Sequence, residues 1–157
     1  MHCAARHEHE RATMKRILLI EDDEDLRFCY GEVLKFGGYD VVMAADGRQG
    51  MVLLQEQAID LVLTDLFMPG KDGLETIMAI RLLHKGFKII VITGGGQIVK
   101  PEYLKPMMTS MGVNRFLMKP IKGDRLLAEV KGVLDGAEPP PESRAADASQ
   151  APENAGR

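Results

Sequence analysis

Five short runs set the pattern of this chain: Arg16–Ile20, Asp40–Ala44, Asp60–Thr64, Lys88–Thr93 and Asn114–Met118. Their interiors are near-continuously apolar rather than alternating, as parallel strands covered on both faces require. Helical spacing fills the intervals, with Leu26, Tyr30, Val33 and Leu34 on one face, then Met51, Leu54 and Ala58. Leu74, Ile77, Met78 and Leu82 make another such face, and Leu126, Leu127, Val130, Val133 and Leu134 follow the last run. Alternating strands and helices imply right-handed crossovers. The expected fold is a doubly wound α/β sandwich, a five-stranded parallel sheet with helices on both faces. Gly37-Gly38 and Gly112 read as left-handed caps ending the first and fourth helices. In the fourth helix Pro101 suits a first turn, but Pro106 would delete a backbone hydrogen bond from a helix already under way. A late start, a kink or a short helix is expected there.

Four of the runs end on polar residues. Ile17-Leu18-Leu19-Ile20 leads into Glu21-Asp22-Asp23, and Leu61-Val62-Leu63 reaches Thr64-Asp65. Ile89-Ile90-Val91-Ile92 stops at Thr93, and Phe116-Leu117-Met118 stops at Lys119-Pro120. Neighbouring parallel strands bring their carboxyl ends to one edge, where open α/β sheets bind ligands. Carboxylates gathered there repel one another unless a hard cation lies between them, and the lysine suits a second, anionic ligand. A divalent metal plus a phosphoryl group meets both demands. Asp23, Glu24 and Asp25 read instead as helix-cap and turn formers, and Asp72-Gly73 as a turn and helix start.

Composition removes several function classes. The formal net charge is −3, and no basic stripe exists to track a nucleic-acid backbone. No apolar stretch approaches the roughly 20 residues of a membrane helix, and the N-terminus lacks a signal-peptide core. Cys3 and Cys29 do not form a disulfide framework, so a cytoplasmic location is expected. One domain is expected over residues 15–135, between a disordered leader (1–14) and a Pro-, Ala-, Glu- and Ser-rich disordered tail (136–157). Met14 reads as an alternative translation start. His2, Cys3, His7 and His9 match no common zinc spacing and are read as part of the leader.

The ordered set Glu21-Asp22, Asp65, Thr93 and Lys119-Pro120, each closing its own strand, resembles the signature of receiver domains of two-component response regulators. The resemblance covers residues 15 to about 135 and is nearest in kind to stand-alone, chemotaxis-regulator-like receivers. It implies a flavodoxin-like strand order of 2-1-3-4-5. It also implies that Asp65 accepts a phosphoryl group from a phosphohistidine of a sensor histidine kinase or phosphotransfer protein. Asp22 and Asp65 would bind Mg2+ directly, Glu21 through a water, and Phe67 through its backbone carbonyl. Lys119 would pair with a phosphoryl oxygen, beside a cis Lys119-Pro120 bond.

Thr93 is the expected switch, its hydroxyl turning to donate to a phosphoryl oxygen. Phosphorylation adds about −1.5 to −2 charges. Charge-assisted bonds from Thr93 and Lys119 are worth roughly 1.5–3 kcal/mol each, against about 5.5 kcal/mol to reverse a 99:1 equilibrium. Two such bonds approach that requirement if they are absent or weaker before phosphorylation. Phe116 stands where the family places a mobile aromatic. Lacking a hydroxyl, it reports the state by packing or is plain core. Gly94-Gly95-Gly96 departs from the commoner alanine after the hydroxyl and suits a moving loop. Phe67, bulky and apolar, is expected to screen an acyl phosphate from water.

The function implied is a signalling switch, with self-catalysed phosphorylation and dephosphorylation only. It would either present a surface of helix four, strand five and helix five to a downstream protein or relay the phosphate. Met107, Met108 and Met111 read as an adaptable surface or as core packing. A homodimer is left open. Residues 136–157 are too few for a DNA-binding output domain. A magnesium-dependent phosphohydrolase would need a second aspartate where Phe67 stands. A nucleotide or flavin binder would be repelled by Glu21-Asp22-Asp23, and the three glycines lack a following Lys-Ser or Lys-Thr. The intact acidic and basic set argues against a degenerate receiver.

Overall fold

The computed structural model describes residues 14–68, 73–94 and 101–137, excepting the Pro101 side chain. Strands and helices alternate as β1 (Arg16–Ile20), α1 (Glu24–Phe36), β2 (Asp40–Ala44), α2 (Gly47–Glu56), β3 (Leu61–Asp65) and α3 (Gly73–Leu83). They continue as β4 (Lys88–Thr93), α4 (Pro101–Ser110), β5 (Arg115–Met118) and α5 (Gly123–Asp135). All strand pairs are parallel, in the order β2-β1-β3-β4-β5.

Successive strand side chains point to opposite faces, so each apolar run feeds two cores. Leu18, Ile20, Val62, Ile89 and Val91 face one layer with Leu54, Ile77, Ile80, Leu104 and Met108. Ile17, Leu19, Leu61, Leu63, Ile90 and Ile92 face the other with Tyr30, Leu34, Leu126, Val130 and Val133. That two-sided demand is why the runs show no polar alternation. It also fixes the register, since a one-residue slip would exchange the two layers.

Several expectations are adjusted in detail. The third strand is displaced by one residue, so Asp65 ends the strand itself, paired with Ile92 of β4. The fifth begins at Arg115. Ala58 lies beyond α2 and is exposed. The inward face of α3 is Gly73, Thr76, Ile77 and Ile80, whereas Met78 and Leu82 are 53% and 89% exposed. Leu74, Ile77, Met78, Ile80, Leu82 and Leu83 surround that helix, so apolar spacing alone selects no single face. Gly38 carries the left-handed φ after α1 (+88°), with Gly37 still right-handed, and Gly112 carries it after α4 (+73°).

Helix α4 starts at Pro101 rather than late and is a short helix of ten residues. Pro106 sits inside it at an exposed position, where the lost N–H costs least. Met108 is buried and Met111 packs against the same core, leaving Met107 exposed, so core packing claims two of the three. Among the described residues no helix is long and apolar enough to cross a membrane. The expectations for residues 1–13, for Gly95, Gly96 and Asp72, and for residues 138–157 lie outside the described residues.

Candidate functional site

Four strands deliver the site. β1 ends at Ile20 and the chain turns through Glu21 and Asp22 before α1. The Glu21 amide donates to the Ala44 carbonyl of β2 at 3.1 Å, so the turn begins as an extension of the sheet. Asp23 caps α1, its Oδ1 accepting from the Leu26 amide at 3.0 Å, with Glu24 and Asp25 in the acidic first turn. β3 ends at Asp65. Its Oδ1 accepts from the Phe67 amide at 3.0 Å, a local turn that aims the carboxylate along the sheet edge. β4 ends at Thr93, whose carbonyl accepts from the Lys119 amide at 2.8 Å. That bond seats the residue after β5 beside the end of β4. The Lys119-Pro120 bond is cis.

The side chains converge. Lys119 Nζ donates to Asp65 Oδ2 and to Glu21 Oε2, each at 2.8 Å. Glu21 and Asp65 are buried, Lys119 is half-buried, and Asp22 is exposed at the rim. Carboxylate oxygens of Glu21, Asp22 and Asp65 lie within 4.8 Å of one another. Burial pushes the Glu21 carboxyl above its usual range, against the opposing pull of Lys119. For Lys119, burial alone would lower the ammonium, but its bonds to Asp65 and Glu21 outweigh that and raise it. Among the described residues a single cation thus serves two buried carboxylates, and the third acid is exposed without one. Three oxygens so close suit a hard divalent cation, held directly or through water, at the outer side of the cluster.

Thr93 completes the edge. Its side chain is fully buried, and among the described residues its Oγ1 has no hydrogen-bond partner. Leaving a buried hydroxyl unpaired costs about 1–3 kcal/mol, so the site holds a donor ready for an incoming acceptor. Lys119, by contrast, already holds two acceptors, Glu21 and Asp65. Phe67, whose amide bonds Asp65, is 40% exposed. Phe116 is half-buried on β5 and packs against the layer containing Leu104 and Met108.

One contribution was not read from the sequence, and another was read only as a helix start. Arg27 Nη1 donates to the carbonyl oxygens of Glu21 (2.8 Å) and Asp22 (3.4 Å). The available signal was a cation in the first turn of α1, where the helix dipole disfavours it. Gly73, at the start of α3, donates to the Leu66 carbonyl at 3.0 Å, and any Cβ there would run into the carbonyl oxygens of Asp65 and Leu66. The glycine lets the helix begin against the segment that aims Asp65.

Comparison with known proteins agrees with this geometry. Residues 17–131 match the family model described as the response regulator receiver domain. The transcriptional regulatory protein CpxR of Escherichia coli (strain K12) is 34% identical over 121 residues, covering 77% of this chain and 50% of that protein. This chain thus spans about half the length of that curated relative. A CheY-like receiver domain protein from Methanospirillum hungatei JF-1 superposes with a TM-score of 0.72 at 28% identity, over 79% of this chain and 96% of that one. The response regulator TrrA of Thermotoga maritima, solved in complex with Mg(2+)-BeF, gives 0.67 at 30% identity, over 76% and 99%. With the strand order, the acidic edge and the family match in agreement, the chain belongs to the response regulator receiver domains of two-component signalling.

Proposed function

We propose that Asp65 is the phosphoacceptor and that its phosphorylation switches a protein-interaction surface or passes the phosphoryl group onward. The observation that carries this reading is the buried Asp65 carboxylate, fixed on one oxygen by the Phe67 amide and on the other by Lys119. A carboxylate oxygen of Asp65 attacks the phosphorus of a phosphohistidine. The new P–O bond forms as the P–N bond breaks, and the imidazole leaves with the electron pair and takes up a proton. Lys119 shifts toward the transferred group, and the Thr93 hydroxyl donates to one of its oxygens.

Receiver domains bind Mg2+ at an acidic cluster, and the Glu21, Asp22 and Asp65 set fits one. Asp22 and Asp65 would ligate it directly, with Glu21 through a water and Phe67 through its carbonyl. Bound there, the ion offsets the repulsion between an incoming phosphoryl group and three carboxylates. The Mg(2+)-BeF complex of TrrA supports this assignment. We assign the chain to the cytoplasm, as a switch rather than a turnover enzyme. Its donor is a histidine kinase or phosphotransfer protein. Exposed Tyr103 and Met107 of α4 and Met118 of β5 support the α4-β5-α5 face as the surface read by a downstream protein or a second copy.

Incubation with acetyl phosphate and magnesium, followed by intact mass, tests the reading. The wild type gains one phosphoryl group, the gain is lost with EDTA, and Asp65→Ala gains none. An adduct of undiminished yield in Asp65→Ala removes Asp65 from its role.

A further inference from the structure

Of the three acids at the site, Asp22 is the least supported. Glu21 is held by Lys119 and accepts from the Asp23 amide at 3.3 Å; Asp65 is held by Lys119 and by the Phe67 amide. Among the described residues no hydrogen bond or ion pair reaches the exposed Asp22 carboxylate. Its aim therefore depends on the backbone of the turn. Besides Glu21's own carboxylate on the Asp23 amide, the side chain bonded to that backbone among the described residues is Arg27, which donates to the carbonyls of Glu21 and Asp22.

The arginine occupies a costly place. It lies in the first turn of α1, where a cation opposes the helix dipole, and it bonds the backbone carbonyls of two of the clustered acids. Its two carbonyl bonds and half-buried position give it a compensating structural task.

We infer that Arg27 is a positioning residue for magnesium. By fixing the carbonyls of Glu21 and Asp22, it holds the turn in the conformation that presents the Asp22 carboxylate to the ion. The inference rests on the receiver reading of the site above. It predicts a sign opposite to that of simple charge repulsion. Removing the guanidinium weakens magnesium binding, because the lost orientation of Asp22 outweighs the relieved repulsion.

The test is a magnesium chloride titration of the full chain, followed by amide NMR shifts, for wild type, Arg27→Met, Arg27→Lys, Asp22→Asn and the double variant Arg27→Met/Asp22→Asn. Arg27→Met is expected to bind magnesium about tenfold more weakly, the usual scale for a partner that orients a ligand. Arg27→Lys, which can reach a carbonyl with one donor, recovers part of the loss. In the Asp22→Asn background, Arg27→Met has no further effect, whereas general damage to the fold would still show. Unchanged or tighter binding in Arg27→Met overturns the inference. So does a loss of equal size in both backgrounds. A wild type without any magnesium response overturns the reading of the site and the inference with it, while a responsive wild type with a silent Arg27→Met sinks the inference alone.

Discussion

Lys119 Nζ reaches Asp65 Oδ2 over 2.8 Å across 54 positions of sequence, and the same nitrogen holds Glu21 Oε2 at 2.8 Å. The lysine therefore acts before any phosphoryl group arrives, as the internal counter-ion of a buried acidic pair. Removing one partner of a buried pair costs about 3–5 kcal/mol, because the remaining charge is left uncompensated. Lys119→Met is expected to lose about 3 kcal/mol at neutral pH. Millimolar magnesium should restore more stability to this variant than it adds to the wild type. Urea unfolding with and without magnesium measures both. A variant as stable as wild type in the absence of metal would contradict the counter-ion role.

The Thr93 hydroxyl makes the opposite prediction. It is buried without a partner among the described residues, so Thr93→Val, nearly the same shape, should stabilise the unphosphorylated protein by about 1 kcal/mol. The same change should blunt the conformational response to phosphorylation, since the donor that the new oxygen would meet is gone. Urea unfolding reads the first effect, and the change in amide shifts on adding magnesium and beryllofluoride reads the second. Destabilisation together with a full response would refute the account of this residue.

Phe67 is 40% exposed, two residues after Asp65, and its amide fixes Asp65 Oδ1. Phe67→Asn keeps that amide and replaces an apolar screen with a group able to hold water. The phosphorylated lifetime, followed by loss of the mass adduct after removal of acetyl phosphate, should shorten several-fold. An unchanged or longer lifetime would count against shielding.

Tyr39 gives a pH prediction away from the site. Burial raises its phenol above the usual value, the Asp135 carboxylate adds to the rise and Lys131 opposes it. The folded protein thus holds that proton more tightly than the unfolded chain. This contribution to stability is complete below the unfolded value near 10.0 and is lost as pH climbs through the higher folded value. Tyr39→Phe cannot ionise, so its urea midpoint should fall less steeply above about pH 10 than that of wild type. Parallel curves would show that the phenol contributes nothing.

Much of this architecture is visible in the chain because β1, β3 and β4 are packed on both faces. Such strands must be apolar throughout, and a polar residue ending one is conspicuous. Glu21, Asp65 and Thr93 stand out for that reason, whereas Lys119 follows the shorter, less buried β5. The face of α3 was not visible, because its apolar residues encircle it and only tertiary contact selects Gly73, Thr76, Ile77 and Ile80. Arg27 was hidden for a different reason. An arginine in an exposed first turn reads as a solvated charge, and its partners are backbone carbonyls, which leave no complementary residue in the sequence. The Glu21–Lys119 bond was likewise invisible. Each residue already had an assigned partner, a metal-bound water and a phosphoryl oxygen, and nothing in the spacing says they pair with each other beforehand.

Everything about the switch depends on which side chain becomes an acyl phosphate. Borohydride reduces such a mixed anhydride to an alcohol, so treatment of the phosphorylated protein followed by peptide mass spectrometry locates it directly. The account predicts homoserine at position 65 and unmodified Glu21 and Asp22. Reduction at either of those residues, or none at position 65 in protein that carries the phosphoryl adduct, would contradict it.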